Sequence, residues 1–151
     1  MNGKMVSVTS PAFKNMGYLP PKFTRDGKGI NPDLMFENIP ATAKSLALIM
    51  DDPDAPYGTF DHWVLYNIPP KTKEIKEGSV PAGAIKGKNT VGTLSYVSPS
   101  PPPGKAHRYV FNLYALDSLL PLREGADKAQ IEKAMAGHII SQASLTGLYK
   151  R

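Results

Sequence analysis

The sequence predicts a mainly β fold in a single domain spanning residues 1–151, and three observations carry that prediction. Proline is abundant, with fifteen residues in the chain, many of them in pairs or runs (Pro20-Pro21, Pro69-Pro70, Pro101-Pro102-Pro103). Proline lacks the amide donor and interrupts helices and sheet interiors alike, so these runs mark loops and strand ends. Between them lie short apolar runs of strand length, and only one segment has a helical period. At 41% hydrophobic and 21% charged residues the composition is that of an ordinary globular domain, long enough to bury a core without covalent staples. No internal repeat and no polar linker divides it.

Taken in order, strands are expected at 5–10, 34–38, 45–51, 61–68 and 108–115. In the fourth, Val64, Tyr66 and Ile68 alternate with Leu65 and Asn67; in the fifth, Tyr109, Phe111 and Leu113 alternate with Val110, Asn112 and Tyr114. Bulky residues on both faces indicate central strands covered on each side. Residues 127–140 read as the helix, with Ile131, Met135 and Ile139 at i, i+4 spacing and Asp127 in the first turn, where a carboxylate complements the helix dipole. A last strand is expected at 144–149.

The chain has no cysteine, which excludes disulfides, a thiolate nucleophile and Cys-based metal sites and fits a reducing, cytoplasmic location. The N-terminal segment 1–7 has no apolar signal core, and the longest apolar run, 45–50, is too short to span a bilayer. The net charge of +5 is scattered rather than gathered into a nucleic-acid module, so no nucleic-acid partner is expected. Gly83-Ala84-Ile85-Lys86-Gly87-Lys88 approaches a phosphate loop but has the wrong glycine spacing and lacks the Ser or Thr, and reads as a loop. In Gly27-Lys28-Gly29-Ile30-Asn31-Pro32 a proline occupies the third glycine position of a dinucleotide fingerprint.

Three motifs remain. Asp51-Asp52-Pro53-Asp54-Ala55-Pro56 places carboxylates and two prolines at a strand end, where fixed φ angles hold the side chains rigidly; a turn capped by Asp side chains is the plainer alternative. His62-Trp63 begins a strongly apolar strand, and if Trp63 enters the core, alternation puts His62 on the opposite face. Ser98-Pro99-Ser100-Pro101-Pro102-Pro103 leads into His107-Arg108-Tyr109, where His107 and Tyr109 share a face and Arg108 points away. Together these supply two histidines, a tyrosine, a fixed carboxylate and a loop of exposed amides, all at strand ends.

In that order the three motifs resemble the phosphatidylethanolamine-binding protein family, most closely its short bacterial and archaeal, Raf-kinase-inhibitor-like branch. The ending Gly137-His138-Ile139-Ile140 through Leu145-Thr146-Gly147-Leu148-Tyr149 is similar to that branch as well. The resemblance implies a large central antiparallel sheet packed on a smaller sheet, with one or more flanking helices and a small anion pocket near the surface. It assigns Asp52, His62, Ser100, His107 and Tyr109 to ligand binding, and Pro53, Asp54, Pro56 and Arg108 to support of the site. It also points to a cis Ala55–Pro56 bond. Where many of the family have Gly-Gly-Pro-Cys-Pro-Pro, this chain reads Val97-Ser98-Pro99-Ser100-Pro101-Pro102.

The function expected is non-catalytic binding of a small phosphate-containing ligand or phospholipid head group, with regulation of a partner protein in view. No catalytic residue, metal or cofactor is expected. The alternatives are inhibition of a serine protease or kinase through the rigid surface loop, which needs little ordering on docking, and an enzyme in which His62 and Asp52 form an acid–base pair or the histidines and a carboxylate hold a metal.

Overall fold

In the computed structural model, which describes residues 5–151, the apolar runs between the prolines pair into two antiparallel sheets. Residues 1–4, part of the segment read for an export signal, lie outside the described residues. β1 (Ser7–Thr9), β2 (Leu34–Glu37) and a short β5 (Glu74–Ile75) form the smaller sheet in the order β1-β2-β5. β3 (Ser45–Asp52), β4 (Phe60–Ile68), β6 (Ile85–Lys86), β7 (His107–Leu116) and β8 (Ile139–Tyr149) form the larger one, in the order β6-β4-β3-β7-β8. The mainly β, two-sheet fold anticipated above is therefore the observed one.

β3 is central in the larger sheet, and all eight of its residues are buried. Leu46, Leu48 and Met50 face the smaller sheet and join Val8, Leu34, Phe36 and Ile75 in one core. Ala47 and Ile49 face the other way and pack with Ile131 and Met135 of the helix α1 (Lys128–Met135). A strand covered on both faces buries apolar residues on each, which is why residues 46–50 of β3 form an unbroken apolar run before the two aspartates.

The helix is shorter than its periodicity suggests. It opens on a reciprocal capping box, Asp127 accepting from the Gln130 amide while the Gln130 side chain accepts from the Asp127 amide. It stops at Met135 because Gly137 has φ +82°, a left-handed conformation that glycine adopts without steric cost and that commonly terminates helices. Ile139 consequently leaves the helical stripe and begins β8, five residues before the expected start. β5 and β6 have two residues each, too few to register as apolar runs; β6 falls within the segment read as a loop.

Candidate functional site

β3, β4 and β7 deliver the three motifs to one end of the larger sheet, on the side facing the smaller one. Asp52 closes β3 in phase with Leu46, Leu48 and Met50, and His107 and Tyr109 open β7 in phase with Phe111 and Leu113. A cavity of about 240 Å³ lies among them, lined by Asp52, His62, Ser100, His107 and Tyr109 together with the apolar walls of Phe60, Val97, Pro101 and Pro102.

His62 reaches this cavity against the alternation of its own strand. Met50 pairs with Trp63, but the next residue, Asp51, pairs with Asp61, so His62 is an extra residue in β4. Such a bulge breaks the two-residue period. Counted back from Tyr66 and Val64, both on the helix side, His62 should also face the helix. Instead its ring meets Tyr109 edge-on at 5.3 Å, on the same side of the sheet as Trp63. The expectation that His62 and Trp63 occupy opposite faces is thus corrected by the bulge. Asp61 takes the helix side in its place, beside Asp51 and Lys128.

Both histidines have one ring nitrogen committed. His107 Nδ1 lies 2.7 Å from Asp52 Oδ2, and the other Asp52 oxygen accepts from the Asp54 amide at 2.8 Å. His62 Nδ1 donates to the Val97 carbonyl at 2.6 Å, and the Val97 amide returns a bond to the His62 carbonyl at 2.9 Å. A carbonyl only accepts, so the His62 proton sits on Nδ1 and leaves Nε2 as the free nitrogen. Burial lowers the His62 pKa below its ordinary value, partly opposed by the Val97 carbonyl and by Asp52 and Asp51. Burial, then the negative charge of Asp52, pushes the Tyr109 hydroxyl well above the usual range, so it is a neutral phenol.

Of the supporting residues, Pro56 lines the cavity wall, whereas Asp54 and Arg108 are not among its lining. Arg108 leaves β7 on the opposite side from His107 and grips Asp54 through two parallel bonds, Nε to Oδ2 at 3.0 Å and an NH2 nitrogen to Oδ1 at 2.8 Å. The hydrogen bond from Arg108 holds the Asp54 carboxyl below its ordinary value. The pair stands in solvent, so Arg108 is an exposed strut rather than a buried cation.

No cis peptide bond occurs among the described residues, so Ala55–Pro56 is trans, correcting the expected cis bond. The reason is local. The Gly58 amide bonds to the Ala55 carbonyl at 3.2 Å, making Pro56 the second residue of a four-residue turn, a position that trans proline favours; cis proline belongs one position later. Asp52 contributes the tight reversal by capping the Asp54 amide, the plainer role considered for that corner, while its second oxygen serves His107.

The proline loop is anchored from several sides. Four of its six residues are proline, so Ser98 and Ser100 carry the only backbone amides between 98 and 103. Pro99 accepts from the Arg25 amide at 2.9 Å, and the Tyr96 hydroxyl donates to the Phe23 carbonyl at 2.8 Å. Arg151 donates to Ser100 Oγ at 3.1 Å and pairs with Asp26 at 3.3 Å. Ser100 thus borders the cavity with its hydroxyl oxygen held by Arg151 and its hydroxyl proton still able to donate.

Sequence reasoning missed Phe60, Val97 and Arg151. Phe60 stands two residues before His62, with ring centres 4.6 Å apart, a spacing that could have placed it. Val97 acts through its backbone, which leaves no side-chain signature.

A five-stranded sheet backed by a three-stranded one, with an Asp–His pair, a second histidine and a tyrosine at one end, defines a class of two-sheet β domain. The sequence profile of phosphatidylethanolamine-binding proteins matches residues 9–150. The chain is 46% identical over 151 residues to the UPF0098 protein of Methanothermobacter thermautotrophicus, covering 97% of this chain and 99% of that one. It is 47% identical over 156 residues to a UPF0098 protein of Pyrococcus abyssi, covering 98% and 86%. A phosphatidylethanolamine-binding protein homologue from Chlamydia trachomatis superposes with a TM-score of 0.93 at 41% identity, over 97% of this chain and 98% of that one. YbcL of Escherichia coli superposes at 0.90 with 26% identity, over 98% and 99%. This chain belongs to the phosphatidylethanolamine-binding protein family. No helix among the described residues is long and apolar enough to cross a membrane.

Proposed function

We propose that the cavity binds the head group of a small phosphate ester, free or carried by a lipid, without chemical change, and that binding serves to regulate a partner protein in the cytoplasm. The observation that carries this reading is the pairing of His107 with Asp52 beside His62 and Tyr109 at the floor of one cavity. A histidine held by a carboxylate through Nδ1 keeps Nε2 aimed at an incoming anion, and the phenol adds a neutral donor. At about 240 Å³ the cavity is smaller than the 300–1,000 Å³ of ordinary ligand pockets, which suits a phosphoryl group with a short substituent against Phe60 and the prolines. Binding without chemistry is supported by the lack of a paired nucleophile among the described residues at the cavity: the Ser100 hydroxyl accepts from Arg151 and forms no hydrogen bond to either ring.

Calorimetric titration with phosphoethanolamine, inorganic phosphate and ethanolamine tests the reading, with the His62 and His107 ring signals followed by NMR. Both phosphates should bind and displace both ring signals, ethanolamine should not bind alone, and His107→Ala should abolish the effect. Ring signals unmoved by millimolar phosphoethanolamine would sink it.

A further inference from the structure

We propose that Lys128, on the opposite side of the sheet from the cavity, is a positioning residue for His62. The inference rests on the ligand reading above, but its first readout needs no ligand.

Asp51 and Asp61 stand directly opposite each other in the register of β3 and β4, and like charges so placed push strands apart. Both side chains turn to the helix side, where Lys128 Nζ lies 2.9 Å from Asp51 Oδ2 and 3.6 Å from Asp61 Oδ1. Asp61 Oδ1 is buried and accepts no hydrogen bond, so the ammonium of Lys128 is its one counter-charge within ion-pair distance among the described residues. Glu132, one helical turn beyond Lys128, adds further negative charge to the cluster.

What makes this pair matter is its place in the chain. Asp61 is the residue immediately before the bulge, and Asp51 is its partner across it. Thr90 ties down the Asp61 backbone on the outer side, its hydroxyl accepting from the Asp61 amide at 2.7 Å and its amide donating to the Asp61 carbonyl at 3.0 Å. Repulsion between the carboxylates is therefore relieved toward β3, at one of the two register shifts in the β3–β4 ladder, where an extra residue already loosens it. His62 is that residue, and its aim into the cavity depends on the bulge keeping its shape. The charged and titratable groups facing His62 are Asp52, His107 and the Tyr109 phenol within the cavity and Asp51 through the sheet. Lys128 acts on it only through Asp51 and Asp61.

The test compares Lys128→Met, Lys128→Arg and Lys128→Met/Asp61→Asn with Lys133→Met, which removes a charge from the same helix without touching either carboxylate. In the ligand-free protein, the His62 Nδ1 proton held by the Val97 carbonyl should broaden or exchange away in Lys128→Met, and the His62 titration midpoint should rise. Both should return in Lys128→Arg and in the double variant, and Lys133→Met should match wild type. Phosphoethanolamine should bind about tenfold more weakly to Lys128→Met and within about threefold of wild type in the two rescued forms. If Lys128→Met does not fold, Lys128→Gln, which keeps an amide donor for Asp51, takes its place under the same readouts. A His62 ring signal and titration unchanged by loss of the Lys128 charge overturns the inference. Failure of wild type to bind phosphoethanolamine overturns the ligand reading instead and leaves the ring measurement to decide the role of Lys128.

Discussion

Replacing Asp52 by Asn changes one atom and probes the whole site. Both Asp52 oxygens are acceptors facing donors, Oδ1 toward the Asp54 amide at 2.8 Å and Oδ2 toward His107 Nδ1 at 2.7 Å, and the side chain is only 5% exposed. An asparagine has one acceptor and one NH2 group, so it can serve only one of these partners as found. If the NH2 faces Asp54, two donors meet and a buried bond is lost. If it faces His107, the ring must carry its proton on Nε2 instead. A hydrogen bond to a charged group is worth about 1.5–3 kcal/mol net, so Asp52→Asn should lose about 2 kcal/mol of stability, a fall in Tm of about 4–8 °C for a domain of this size.

The consequence for binding is more specific. In the wild type, Asp52 holds a proton on His107 Nδ1, so Nε2 donates to a phosphate dianion only when it carries a second proton. Binding through Nε2 therefore needs the doubly protonated ring, and Kd should weaken as pH rises. In Asp52→Asn with the proton on Nε2, the neutral ring already donates, and the slope should flatten, His62 supplying what remains. The phosphate's own ionisation near ~6 bends both curves alike. Calorimetry with phosphoethanolamine between about pH 5.5 and 8.5, in buffers of different ionisation enthalpy, measures the protons taken up. Equal slopes and equal Tm for the two proteins would refute the reasoning and reduce Asp52 to a turn residue.

Three further outcomes are expected. Gly147→Ala should destabilise by about 1–3 kcal/mol in denaturant titrations, because a Cβ there would sit 2.6 Å from Leu19 Cδ2 and 3.0 Å from Phe13, where the 13–19 segment crosses β8. Asp61→Asn should raise Tm at neutral pH. Burial raises the Asp61 pKa above 3.8, so its cost is absent below that pH and grows as pH rises through the folded-state value; the gain should vanish in strong acid. Asp127→Ala, which removes half of the capping box, should cost about 1 kcal/mol by chemical denaturation.

The strands were legible in proportion to their burial. β3 and β7 bury residues in unbroken or alternating patterns, and their apolar runs mark them to within a residue at each end. β6 owes its existence to two residues pairing with Leu65 and Tyr66, a contact between distant segments that no local run encodes. The five residues named from the motifs and the family resemblance border one cavity. What periodicity could not give was the side on which His62 lies, because a bulge is a property of two paired strands. Nor could it separate the roles of Asp51 and Asp52, adjacent in sequence and committed to opposite faces, one to Lys128 and the other to His107.

The cavity floor belongs to strands that have no independent way to open. Asp52, His62 and Tyr109 sit on β3, β4 and β7, the three innermost strands of the larger sheet, and central strands of this kind release their amides only when the whole molecule melts. Occupancy of the cavity is thereby tied to the global transition rather than to a local fluctuation. A compound at one hundred times its Kd adds about 2.7 kcal/mol to the unfolding free energy, which for this chain length corresponds to a rise of about 5–10 °C in Tm. A ligand of the proposed kind can therefore be sought without a functional assay, by melting the protein against a library of small phosphorylated metabolites and lipid head groups and following the compounds that raise Tm.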